Sequence, residues 1–414
     1  MQILSIVLSG LFVTGSLLHA QEARLVDAAF LHGLRVEAAR NHPAARSAGL
    51  AAPAAALDIR AVRLWDDPMV GLSFMAAEKE MRKDDGDIRL SFELPLPKRG
   101  LYAANLQKAE AIRRAEIENA RGSSLEVGSA AARDAIELAL ADETILLQAA
   151  QLRWLGSMAE NARQQAINPA ATGVDALRLE SELARENEIL AAARRTRDSL
   201  AGSLNLRLGR PLASPWPLLR LAAGPAPIPV ATAEIARISK HNPRVRSMRE
   251  MASSATAETI IAHRERQPQL SLAADANFYS GGTFRELGIG VRMSLPYFNR
   301  TSYDARVQSS QVREKAAVSD IETVRLEVAA RVLAAVAEAA NAAAQARAYA
   351  GEIYERSLQA TQAVEDAWIS SKSSLTDLLD SNRQVFAVRL EQRRLIALQR
   401  VALEELELLV PDPR

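Results

Sequence analysis

The sequence predicts a mainly α-helical fold with a small β part, laid out as two structural repeats in one chain. Three observations predict it. First, landmarks recur at a shift of about 200 positions. Asn41-His42-Pro43 returns as His241-Asn242-Pro243, Asp67-Pro68 as Gln267-Pro268, and Leu94-Pro95 as Leu295-Pro296. Second, the chain is rich in Ala, Leu, Glu, Gln and Arg, only 4% of it is aromatic, and proline is absent from 98–168 and 297–410. Such stretches favour long helices. Third, four short segments switch from helical to period-two patterning.

The run from Met1 to Leu18 is apolar, and Leu18-His19-Ala20 before Gln21 suits a signal peptidase, so 1–20 reads as a signal peptide. It is shorter than the ~20 residues that a spanning helix needs. The first repeat then covers 21–208. Its strands are expected at about 68–76 and 87–95, where Val70, Leu72 and Phe74, then Ile88, Leu90, Phe92 and Leu94, oppose polar or small residues. Helices follow over 101–166 and 174–208, separated by Asn168-Pro169-Ala170-Ala171-Thr172-Gly173. A 66-residue helix is about 100 Å long, which no compact globular domain accommodates. In the second helix Leu179, Leu183, Glu186, Leu190, Ala193, Arg197, Leu200 and Leu204 advance by alternating fours and threes, a coiled-coil seam with two polar interruptions. Six prolines between 209 and 230 mark an extended linker along the helices. The second repeat, 231–414, has strands at about 268–278 and 286–295 and helices over 301–369 and 375–409, with Ser370-Ser371-Lys372-Ser373-Ser374 between them.

Composition excludes several functions. With 51 Lys and Arg against 50 Asp and Glu, no basic excess marks a nucleic-acid binder. There is no cysteine, hence no disulfide, thiolate site, cysteine nucleophile or lipidated N-terminal cysteine. The five histidines form no helical metal pair, and the chain has no P-loop, Gly-x-Ser-x-Gly or dinucleotide glycine fingerprint. No enzyme and no cofactor is expected.

The strands carry the membrane argument. Each segment has about the length that crosses an outer membrane at ~45° tilt, with one greasy face and one polar face. The polar faces carry Arg89 and Glu93, Asp275 and Asn277, and Arg292, which are read as facing a watery lumen. Four strands cannot close a membrane barrel, which needs about eight, and an open edge in lipid leaves backbone groups unpaired. The chain must therefore share a barrel with other copies: a dimer gives eight strands, a trimer twelve. A soluble periplasmic coiled-coil scaffold is the alternative reading.

These features together resemble the TolC family of outer-membrane efflux proteins. The marks are the Asn-His-Pro and Asn-Pro openings, Leu94-Pro95 and Leu295-Pro296 after the second strand of each pair, and Asp377-Leu378-Leu379-Asp380, which is similar to the family's acidic motif at the periplasmic entrance. The resemblance implies a homotrimer in the outer membrane of a Gram-negative bacterium, with a shared twelve-stranded barrel and an α-helical tunnel in the periplasm. It further implies a passive exit duct of a tripartite efflux pump, working with a periplasmic adaptor (membrane fusion) protein and an inner-membrane RND or ABC-type transporter. Trp65-Asp66-Asp67-Pro68 and Leu94-Pro95-Leu96-Pro97-Lys98-Arg99-Gly100 look most like the heavy-metal efflux branch, which implies heavy-metal cations as cargo. Drugs or other small organic molecules are the alternative class.

By the same resemblance Asp377 and Asp380 form a periplasmic gate, each repeated as a ring in the trimer, where clustering raises some of their pKa values. Their i, i+3 spacing at a helix start puts them on one face, and the competing role for such residues is capping. Trp368 holds the position of an aromatic that keeps neighbouring helices shut, and Lys372 stands near a basic position. Asp175 and Arg178 occupy the equivalent tip of the first repeat, and Gly173, Ser373 and Ser374 are the turns where an adaptor would dock.

Overall fold

The computed structural model describes residues 23–74, 88–165, 173–228, 239–279, 283–370 and 372–410. The signal peptide expected at 1–20, the turn before residue 173 and the 78–86 loop lie outside them.

The helices start where the local chemistry caps them. Helix α1 (Ala28–Asn41) opens on Asp27, whose Oδ1 accepts from the Phe30 amide at 2.7 Å. In α2 (Pro43–Ala61) proline takes the first position and His42 Nδ1 accepts from the Ala44 amide. In α5 (Pro243–Glu265) the same device recurs, with Asn242 Oδ1 accepting from Arg244 at 2.9 Å. Asn41 Nδ2 donates to the Leu208 carbonyl and Asn242 Nδ2 to the Leu409 carbonyl, at 3.1 and 3.0 Å. The recurring Asn-Pro signature is thus a pair of matched clamps. Each fastens the start of a repeat to its final long helix.

Those long helices are α3 (Leu101–Gln165), α4 (Val174–Arg207), α6 (Arg300–Ala348) and α8 (Leu375–Leu409). At 1.5 Å per residue, the 65 residues of α3 extend about 98 Å. One expectation fails: the helix read over 301–369 is not continuous. It breaks into a π turn, Tyr349–Ile353, before α7 (Tyr354–Ile369), with Gly351 at φ −100°, ψ −115°. No proline marks this break, since none occurs between 297 and 410. Gly351 has no Cβ to hold it in helical geometry, and the turn forms there instead.

Alanine makes the long contacts. Ala131, Ala132, Ala135 and Ala139 on α3 are wholly buried beside Leu34, Leu204 and Ile396. Small side chains let helix backbones approach closely, so a core this poor in aromatics still excludes water. Arg197, one of the two polar interruptions of the α4 seam, is accommodated by an ion pair. Arg197 Nε reaches Asp142 Oδ1 at 2.9 Å, and Asp142 Oδ2 accepts the Leu219 amide.

The Pro-rich stretch lies along the bundle and adds two short strands. Strand β4 (Leu219–Arg220) pairs in parallel with β1 (Arg24–Leu25), and neither was expected. Asn205 Nδ2 donates to the carbonyls of Leu212 and Ser214, and Trp216 Nε1 donates to Asn205 Oδ1 at 2.7 Å. Gln399 exchanges two hydrogen bonds with the backbone of Ala226. Every one of these side chains comes from a long helix or packs onto one.

The second sheet is antiparallel, in the order β2 (Met69–Phe74), β3 (Ile88–Pro95), β5 (Leu270–Phe278), β6 (Phe284–Met293). Each repeat supplies one hairpin, and β3 joins them to β5. Strands β2 and β6 are the two edges, each with one side unpaired among the described residues.

Candidate functional site

Register decides what each face of the sheet can do. Across the four strands Leu72, Leu90, Ala276 and Leu287 stand in one row, and Val70, Phe92, Ala274 and Ile289 in another. These rows point outward into nothing this chain supplies: Val70, Leu72, Phe74, Ile289 and Val291 are 67–82% exposed. At ~25 cal/mol per Å² of apolar surface, leaving such a face in water is costly, and it needs a cover.

The rows between are polar. Ser73, Arg89, Asn277 and Glu286 align, as do Gly71, Ser91, Asp275 and Gly288. Arg89 Nε donates to Asn277 Oδ1 at 3.0 Å, and Asn277 Nδ2 to Glu286 Oε1 at 2.7 Å. Arg292 reaches Glu93 Oε2 at 2.6 Å and Asp275 Oδ2 at 3.4 Å. Arg89, Glu93, Asp275, Asn277 and Arg292 therefore share one hydrogen-bonded face. Sequence reading missed Glu286. Its parity matches Arg292, so the signal was present, but it sat at the limit of the assigned strand.

The second candidate region is the tip where α4 and α8 begin. Trp368, on the last turn of α7, is 7% exposed and buried among Leu155, Met158, Ala159 and Ala162 of α3, Ala176 and Leu179 of α4, and Leu375 and Leu378 of α8. It ties four helices together within one chain. Asp377 forms a capping box with Ser374. The Ser374 hydroxyl donates to Asp377 Oδ2 at 2.7 Å, and the Asp377 amide donates back to Ser374 Oγ at 3.2 Å. The Ser374 hydroxyl, helped by its amide, holds the Asp377 carboxyl below its ordinary range within one chain.

Asp380 sits one turn on, 3.1 Å from Arg383, whose other arm reaches Glu182 of α4 at 2.9 Å. Glu182 and Arg383 were not foreseen. They lie one repeat apart, like Asn41 and Asn242, which was the available signal. Asp175 and Arg178 are exposed on the first turns of α4, which follows Gly173 at φ +66°. A positive φ is why glycine serves there. Ser373 and Ser374 precede α8, and the Lys372 amide donates to the Ala367 carbonyl at 2.7 Å to end α7. The structure thus gathers the tip residues at two helix starts, while the strand residues lie in the separate sheet.

A third feature is a cavity of about 450 Å³ between α1, α3 and α8, reached by the buried Glu404. Glu404 Oε2 accepts no hydrogen bond, although Arg35 Nε stands 3.5 Å away. Burial pushes this carboxyl up, against the pull of Arg35, Arg133 and Arg400. A raised folded-state pKa gives stability that is complete below the unfolded value and lost as pH rises through the folded one. Glu404→Gln removes that loss. The variant's melting temperature is expected to change less than that of the unsubstituted protein between mildly acidic and neutral pH. Parallel pH profiles would show that the Glu404 carboxyl has the same pKa folded and unfolded, and so is not raised by burial.

Among the described residues no group of three or more His, Asp or Glu is placed to hold a metal, and no helix is long and apolar enough to cross a membrane. Among the described residues the element with a broad exposed apolar face is the four-stranded sheet. Residues 235–410 match the family model described as Outer membrane efflux protein.

The chain carries an outer membrane efflux protein domain.

The matched span takes in the second hairpin, β5 and β6, and the helices α5 to α8 around it. Solved structures extend the likeness to nearly the whole chain. The outer-membrane channel OprN is 17% identical, with 93% of this chain and 90% of that chain covered, at a TM-score of 0.78. The outer membrane protein VceC from Vibrio cholerae is 16% identical over 92% of this chain and 96% of its own, at 0.76. CusC, whose structures concern folding and transmembrane channel formation, is 16% identical over 92% and 91%, also at 0.76. No curated protein matches the sequence. The mainly α fold with a small sheet is therefore the TolC-like fold.

Proposed function

We propose that three copies of this outer membrane efflux protein join edge to edge, β6 of one against β2 of the next, as the exit duct of a tripartite pump. One observation carries the proposal: a four-stranded sheet with an exposed apolar face, a charged opposite face and two unpaired edges. Closure gives twelve strands, four from each of three copies, and removes every edge from lipid. The apolar rows then meet outer-membrane lipid, and Arg89, Glu93, Asp275, Asn277 and Arg292 line water. The long helices continue the lumen as a periplasmic tunnel.

A conduit does no bond chemistry; radius and charge decide what passes. At the tip Asp377 and Asp380 form the gate, with Trp368 and the Glu182–Arg383 bridge holding helix ends together and Lys372, Asp175 and Arg178 around them. Asp377 serves both roles, because a capping carboxylate on an exposed first turn still presents negative charge to the lumen. The turns at Gly173, Ser373 and Ser374 receive the helical hairpins of a periplasmic adaptor, and an RND or ABC-type inner-membrane transporter supplies the energy. The cargo is a heavy-metal cation: the gate is acidic, and on the lumen face Glu93, Asp275 and Glu286 outnumber Arg89 and Arg292.

Two measurements test this. The protein should fractionate with the outer membrane and need detergent to stay dissolved; a monomer soluble in plain buffer would instead support a periplasmic scaffold. In a planar bilayer, replacing both acids (Asp377→Ala with Asp380→Ala) should weaken block of conductance by divalent cations. Unchanged block would remove the gate from the proposal.

A further inference from the structure

The apolar row of β6 does not end with the strand. It runs on through Leu295 into Tyr297 and Phe298, 70% and 89% exposed, at the helical end of the sheet. At the same end of the other edge, Leu64 and Trp65 stand about half exposed just before β2. Exposed aromatics flanking an apolar band sit at headgroup depth.

Beside Tyr297 is a cleft of about 180 Å³ lined by Arg266, Pro296, Tyr297, Arg300 and Tyr303. Arg266 ends α5 and Arg300 begins α6, so the two strand-to-helix junctions bring them together. Asp304 lies 3.1 Å from Arg266 and 3.6 Å from Arg300. One carboxylate thus aligns two guanidinium groups and neutralises only one. The arginine side chains remain 44% and 72% exposed, with donors to spare. A planar guanidinium fork matches phosphate oxygens two at a time, and the tyrosine hydroxyls add donors on the cleft wall.

We propose that this cleft binds the phosphodiester of a membrane phospholipid, whose acyl chains lie along Leu295, Met293 and Val291. The inference rests on the outer-membrane reading above. The occupant is a lipid and not a free anion, because the basic cleft opens beside the end of an apolar row.

The test uses the full-length protein reconstituted into phosphatidylethanolamine–phosphatidylglycerol vesicles, extracted in mild detergent and weighed by native mass spectrometry. The unsubstituted protein should retain phospholipid after washing. Arg266→Gln with Arg300→Gln should weaken retention by on the order of tenfold, the weight of one charge-assisted hydrogen bond. Asp304→Asn should strengthen retention, a change of sign that a misfolded variant does not produce. Equal retention by all three would overturn the proposal, as would displacement of the lipid by millimolar inorganic phosphate. Failure of the unsubstituted protein to enter vesicles would overturn the membrane reading itself, and this inference with it.

Discussion

Ile289→Arg is expected to abolish the membrane-inserted oligomer. Ile289 is 82% exposed midway along β6, opposite Ala274 and flanked by Leu287 and Val291 on the same face. An arginine facing lipid near the midplane of a barrel costs ~2–4 kcal/mol in each copy, and a trimer repeats that cost around the ring. The neighbouring residue makes the control. Gly290 belongs to the polar face, and a side chain added there meets nothing within 4 Å. Because side chains alternate, Gly290→Arg places the same charge in the watery lumen and should assemble nearly as the unsubstituted protein does. The readouts are the fraction of heat-resistant oligomer on semi-native gels and the amount recovered in outer membranes. Normal assembly of Ile289→Arg alongside failure of Gly290→Arg would invert the assignment of the faces.

The sheet was legible because its information is local. Period two in Leu270, Leu272, Ala274 and Ala276 requires only that neighbours alternate, and both faces of the strand can be read from one segment. The seam of α4 was legible for the same reason: Leu179 and Leu204 are wholly buried, as the fours and threes require. What escaped depends on partners distant in the chain. Nothing near residues 209–228 announces that Asn205 and Gln399 will hold this stretch, nor that Leu219 will find a strand partner at Arg24. The π turn at Gly351 was hidden because one glycine in an alanine-rich helix is usually tolerated. At the tip the acidic residues were legible but not their roles. The Ser374–Asp377 capping box is a signature of type and spacing, whereas the Glu182–Arg383 bridge becomes visible only once the repeats are superposed.

Trp368→Ala carries the other large effect, and a different kind of outcome. Truncating a buried tryptophan costs ~3–5 kcal/mol. Here that loss falls on a cluster separate from the alanine-rich core of α1, α3, α4 and α8 and from the valine cluster of α5, α6 and α8. The chain should therefore stay folded, while the tip, where Trp368 is the large side chain at the centre of the cluster joining α3, α4, α7 and α8, opens locally. Amide exchange should accelerate around 155–165 and 365–380 with the sheet still protected, and single-channel conductance should rise as the helix ends separate. Removing Asp377 and Asp380 changes charge and leaves the tryptophan contacts in place. That double variant should thus alter cation block at nearly constant conductance, whereas Trp368→Ala should alter conductance itself. If Trp368→Ala sped exchange at the tip but left conductance unchanged, the narrowest point of the duct would lie elsewhere, and the tip would be a docking end without being a gate.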